Sequence, residues 1–241
     1  MSSPGWSEFR AAFLDGHIFG TTFGEIARAF LLNVKIFLIS EPIILVLALG
    51  VAIVRSLPGP ALFPFRLLAV VYVDLFRGLP TILVMLMLGL GMPALQLSWL
   101  PSSSTFWAVV TLVLIYTAYV SEVYRAGIDS VHPSQEMAAR SIGLSRFQGL
   151  RYVIVPQAVR RVIPPLLNDF IGLQKDTALI SVLGAIDVLN QAQIDEAATF
   201  NFTPYLCAAV LFVAITIPLT RFTDHLIERE RARRQTTGVL A

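Results

Sequence analysis

The sequence predicts an all-α, polytopic membrane bundle of about five transmembrane helices, and three observations carry that reading. Charged residues make up only 14% of the chain against 56% hydrophobic ones, whereas a soluble domain carries about 25% charged residues. The 44 residues from Gly78 to Ser121 contain no charge at all, enough for two helices of ~20 residues that each cross a ~30 Å hydrocarbon core. The third observation is a contrast. Residues 133–156, PSQEMAARSIGLSRFQGLRYVIVP, are charged and patterned as short helices, yet they stand between long apolar runs. A polar helical hairpin in the middle of a membrane chain is a docking element before it is anything else.

Taken in order, residues 1–30 read as an N-terminal extracytoplasmic segment. It has no apolar run after a basic stretch, so a cleaved leader is not expected and insertion falls to the first span. That span is placed at 31–54, with Lys35, Glu41 and Pro42 inside it. Starting it at Pro42 would leave roughly 20 Å of helix, too short to cross. Further spans are expected over 67–91, 103–123, 160–183 and 203–222, with Gly91 and Pro93, or Pro101 to Ser104, turning the chain between the second and third. The membrane domain is thus 31–228, followed by a cytoplasmic tail, 229–241. Within the central loop, 130–157, Pro133 suits the first turn of a helix and Gly143 a left-handed C-terminal cap. Ser145 with Gln148 reads as a capping box that restarts a second helix, and Pro156 is expected to stop or kink it.

Orientation follows from the arginines. Arg55, Arg66 and Arg77 follow the first span, six arginines from Arg125 to Arg161 lie in and around the central loop, and Arg229, Arg231, Arg233 and Arg234 crowd the tail. These sides are cytoplasmic by the positive-inside rule. The opposite loops, 92–102 and 184–202, hold Asp187, Asp195 and Glu196 and no Lys or Arg. The N-terminus is therefore expected outside and the C-terminus inside.

Several classes of chemistry find no footing. Only two lysines exist, Lys35 before Ile36 and Lys175 before Asp176, so neither ends a phosphate-binding G-x-x-x-x-G-K-[ST] loop. His17, His132 and His225 are far apart, and Cys207 is the single cysteine, which leaves no disulfide, no metal set and no enzyme site. A net charge of +2 is too small to argue for nucleic acid. Polar groups do gather on the fourth span, where Asn168, Asp169, Lys175 and Asp176 surround Gly172. Asn168, Gly172 and Lys175 share a face. Ionisable groups at such depth cost roughly 2.5–3.5 kcal/mol each on an insertion scale and usually face a bundle interior or a watery cavity. The alternative is that Lys175 and Asp176 only neutralise each other. Glu122 with Arg125 and Asp74 with Arg77, both spaced i, i+3, are candidate pairs near the inner boundary, structural or gating.

The central loop resembles the "EAA" loop of the permease subunits of bacterial ABC importers. Ala138, Ala139 and Gly143 match its pattern, and Val153, Val155 and Pro156 stand for its downstream Ile-x-Leu-Pro. Met137 occupies the family's Glu position, with Glu136 one place earlier, about 100° around the helix. The resemblance extends from about Asn33 to Glu230 and is closest to permeases for polar amino acids, through YVDLFRGLP (72–80), AYVSEVYRAGIDSV (118–131), PQAVRRVIPPLLNDFI (156–171) and KDTALISVLG (175–184). It implies a cytoplasmic coupling helix that meets the ATPase through Glu136, Met137, Ala138, Ala139, Arg140, Ser141, Gly143 and Leu144. It also implies a substrate pathway involving Glu122, Asn168, Asp169, Lys175, Asp176 and Thr177. ATP and Mg would be bound by partner ABC ATPase subunits, and no cofactor by this chain. A second permease subunit, the same or a related chain, and an extracytoplasmic solute-binding protein would complete the importer in the bacterial inner membrane. A stand-alone secondary transporter or channel, using Glu41, Asp169, Lys175 and Asp176 as an ion relay, is the other reading. An amphipathic helix resting on lipid headgroups is the other reading of the central loop.

Overall fold

The computed structural model describes residues 4–57 and 59–238. It is 86% helical, with no strand among the described residues. The order is α1 (Pro4–Phe13), α2 (Gly16–Ser56), α3 (Phe63–Gly78), α4 (Thr81–Ala94), α5 (Ser104–Asp129), α6 (Pro133–Ser141), α7 (Arg146–Gly149), α8 (Val155–Asp176), α9 (Val188–Thr199) and α10 (Thr203–Gly238). A π turn over Leu150–Ile154 joins α7 to α8, and a 3-10 helix, Thr177–Leu183, follows α8. The helices α2, α5 and α10 are each long and apolar enough to cross a membrane, and two interrupted helix pairs bring the candidate spans to five. Residues 1–3 and 239–241 lie outside the described residues, as do the side chains of Arg231, Arg233 and Arg234 in the expected topology anchor.

Three expectations need correcting. The span placed at 67–91 is not one helix: it breaks at Leu79 and Pro80, both extended, with ψ of 137° and 132°. A proline pushes the residue before it out of the helical region, and here the break spans both residues. The first helix does not begin near residue 31 but runs from Gly16, its start capped by Asp15, whose carboxylate accepts from the N–H groups of His17 and Ile18 at 2.8 and 3.1 Å. Finally, Pro156 does not stop a helix. The chain stays helical from Arg146 to Asp176, and the N–H of Val155 bonds to the Leu150 carbonyl across the π turn. That wider turn, just before the proline, takes up the ring and the missing N–H that would break a regular α-helix.

By contact the chain falls into two compact units. One comprises Met1–Glu41, Pro80–Val113 and Gly172–Pro218; the other comprises Pro42–Leu79, Leu114–Ile171 and Leu219–Ala241. In the first, Ile26 and Phe30 of α2 pack against Val188 and Ala192 of α9 and Cys207 and Ala208 of α10. Between lipid-bathed helices, packing and hydrogen bonds replace the hydrophobic drive. A buried polar clamp supplies the latter: Asn33 donates to Asp187 at 2.9 Å and accepts from the Val188 N–H at 3.1 Å. Asp187 in turn caps α9 through the Asn190 N–H at 3.0 Å.

In the second unit, α5 and α8 approach so closely at Gly127 that a Cβ there would stand 2.0 Å from Cγ2 of Val162. Tyr72 of α3 donates its hydroxyl to the Leu114 carbonyl of α5 at 2.6 Å. Outward, Val46, Leu68 and Val71 here, and Leu31 and Leu38 in the first unit, are exposed, as lipid-facing positions should be.

Candidate functional site

The polar hairpin of the central loop is built as its sequence signals require. His132 is the N-cap of α6, its imidazole accepting from the Ser134 N–H at 3.2 Å, and Pro133 takes the first helical position. At the other end Gly143 has φ of +88°. Its N–H reaches the Arg140 carbonyl at 3.0 Å, and the Leu144 N–H reaches that of Ala139 at 3.1 Å. These two bonds form the Schellman arrangement that a left-handed glycine permits. Ser145 and Gln148 then exchange reciprocal bonds, at 2.9 and 3.3 Å, as the capping box that opens α7.

Of the residues assigned to ATPase coupling, Glu136, Met137, Ala138, Arg140, Ser141 and Gly143 are exposed and Leu144 is half-buried. Met137 is 64% exposed and the neighbouring Ile142 78%. Ala139 departs from expectation, being buried inside the hairpin, where a Cβ at Gly149 would lie 3.5 Å from its methyl. It shapes the hairpin and offers no surface to a partner. A groove of about 390 Å³ runs beside α6, lined by Asp129, His132 and Glu136 together with Ile128, Leu150 and Ile154.

A second feature is a charged cavity of about 390 Å³ between α3, α5 and α8, lined by Arg77, Tyr119, Glu122, Ser130, Arg161 and Asp169 among others. Glu122 is fully engaged. It pairs with Arg55 and, at 2.7 Å, with Arg125, which also holds Asp129 at 2.8 Å. The i, i+3 pair with Arg125 was legible in the sequence; Arg55 was not. Arg161 donates to the Ser130 carbonyl. Arg77 does not pair with Asp74 but lies over the Tyr119 ring, 5.7 Å from its centroid, a cation–π contact. Asp169 keeps one buried carboxylate oxygen without a hydrogen-bond partner. The cavity therefore holds guanidinium donors and an unsatisfied carboxylate.

Of the expected pathway residues, Glu122 and Asp169 line this cavity and the others do not. Asn168 and Lys175 are exposed on α8. Thr177 is buried and donates to the Gln174 carbonyl at 2.7 Å, within the turn where α8 gives way to the 3-10 helix. Arg77, Tyr119 and Arg161 were missed as cavity residues, because near a membrane boundary an arginine reads first as a topology signal.

Residues 61–232 match the family described as binding-protein-dependent transport system inner membrane component. The "Probable glutamine ABC transporter permease protein GlnM" of Bacillus subtilis is 33% identical over 76% of this chain and 83% of its own length. The arginine transport system permease protein ArtQ of the same organism is 33% identical over 83% of this chain and 89% of its own. Among solved structures, an amino acid ABC transporter with histidines superposes with a TM-score of 0.76 and 29% identity, over 85% of this chain and 93% of that one. The chain belongs to the binding-protein-dependent transport system inner membrane component family and is a permease subunit of an ABC importer.

Proposed function

We propose that this chain forms half of a translocation pathway for polar amino acids, with the cavity around Asp169 as its substrate contact. The observation that carries the reading is the mixed charge of that cavity. Arg77 and Arg161 suit a carboxylate, and the unsatisfied Asp169 suits an ammonium group. Those are the two charges every α-amino acid carries. The outward polar face of α8, with Asn168 and Lys175, fits the side of the path met by a second permease subunit. Glu136, Met137, Ala138, Arg140, Ser141, Gly143 and Leu144 deliver the ATPase stroke, and Ala139 holds the hairpin's shape. This chain is a non-catalytic translocase subunit: ATP and Mg belong to the ATPase chains, and an extracytoplasmic binding protein supplies substrate. By the arginine distribution the hairpin is cytoplasmic and the N-terminus outside.

The complex in proteoliposomes, with its ATPase and binding protein, provides the test. Asp169→Asn is expected to lower amino-acid uptake at least tenfold, corresponding to about 1.4 kcal/mol or more, while basal ATP hydrolysis and assembly persist. Unchanged uptake across substrate concentrations would remove Asp169 from the pathway.

A further inference from the structure

The first helix, α1, lies outside the residues matched to the family, and from Gly5 to Phe13 every residue but the half-buried Ala12 is exposed. A helix that short is not stable in water on its own, so something must cover it. Its aromatic residues form a ladder: Trp6 stacks on Phe9 at 5.6 Å, Phe9 on Phe13 at 4.9 Å, and Phe13 on Phe202 at 5.0 Å, with the ring planes within 20° of parallel. Trp6, Phe9 and Phe13 fall at i, i+3 and i+7, on one helix face. All remain open to the outside.

What covers this face follows from where the helix is fastened. The Phe202 N–H bonds to the Ala12 carbonyl at 2.8 Å, Asn201 donates to that of Ala11 at 2.8 Å, and the Asp15 N–H bonds to the Thr203 hydroxyl at 3.1 Å. Thr203 is the first residue of a helix long and apolar enough to cross a membrane, so α1 is stapled to the mouth of that candidate span, where the lipid headgroups lie. Trp is the residue type that gathers at that level, and short amphipathic helices there bury an apolar face about 5–10 Å into the boundary. Arg10, four places after Trp6 at the edge of the same face, is set to meet lipid phosphate.

From these contacts we infer that α1 is an interfacial anchor. Its Trp6–Phe9–Phe13 face, continued by Phe202, seats in the headgroup boundary of the leaflet where α10 begins, and holds the start of α2 and the α9–α10 turn at fixed depth. The occupant is the phospholipid bilayer, not a protein.

The experiment reconstitutes the full chain in phosphatidylcholine–phosphatidylglycerol vesicles whose acyl chains carry bromine either near the carbonyl end or near the methyl end. The emission of Trp6 is the difference between wild type and Trp6→Phe, a variant that keeps an exposed aromatic in place and cancels Trp99 and Trp107. Loss of the Trp6 component to bromine near the carbonyl end, with less loss to bromine near the methyl end, is expected. Indifference to both lipids with strong quenching by aqueous iodide would overturn the anchor by placing α1 in water. Indifference to lipid and iodide alike would overturn it by placing a protein over the ladder, and strongest quenching near the methyl end would show burial too deep for an interfacial helix.

Discussion

Glu122 and Asp169 share one cavity, and their surroundings assign them different work. Glu122 has both oxygens engaged by Arg55 and Arg125, and the Arg55–Glu122 side chains are only 11% and 16% exposed. Asp169 has an oxygen to spare. Glu122→Gln should therefore act on stability, costing about 1–3 kcal/mol by leaving Arg55 poorly paired. The check is a lower melting midpoint in detergent, recovered in part when Arg55→Gln is added; an unchanged midpoint would show that the pair contributes nothing. Asn33→Leu is expected to cost a similar ~1–3 kcal/mol, since Asp187 would lose its buried donor, and the same melting experiment reads it. The i, i+3 partner Arg125 was legible because helical spacing announces it. Arg55 lies 67 positions from Glu122, and Asp187 lies 154 from Asn33. Periodicity carries no information about such pairings, which only the folded chain creates.

At the scale of elements, the hairpin was the most legible part of the chain. Pro133, Gly143, Ser145 and Gln148 act through bonds to residues within a turn or so, and local chemistry of that range survives in the sequence. Ala139 is buried within the hairpin, and small size alone does not say whether a residue faces a partner or its own neighbour. Of the two readings of Pro156, a stop or a kink, the stop fails, because a π turn with no sequence signature of its own compensates for the proline. The long α2 was truncated because Glu25 and Arg28 dilute its apolar pattern before residue 31. Gly143→Val tests the hairpin. A β-branched residue at φ +88° is strained by about 1–3 kcal/mol, so the turn into α7 should reorient. Uptake is expected to fall while ATP hydrolysis by the assembled complex continues; full uptake would separate the left-handed turn from coupling.

For the whole molecule, the all-α membrane class and the count of about five spans came from composition and charge-free length, quantities that a bilayer imposes on any chain that crosses it. Where those spans break, as at Pro80, was not in the composition. Orientation rests on the arginine asymmetry and can be read directly. Cysteine placed at Ser134 should resist an impermeant maleimide in intact cells and react after permeabilisation, whereas one at Ser102 should react in both, the native Cys207 being buried. Reaction at Ser134 in intact cells would invert the topology. We propose that this permease moves substrate only with an ATPase docked on α6. The most direct test is mild-detergent purification of the tagged chain from its native membrane, with every accompanying polypeptide identified by mass spectrometry. Recovery of an ATPase carrying a Walker A sequence is expected, and its loss on replacing Met137 and Ile142 with Asp would place it on the exposed face of the hairpin. Repeated recovery of the chain alone, under conditions that keep other membrane complexes intact, would contradict ATPase docking on α6.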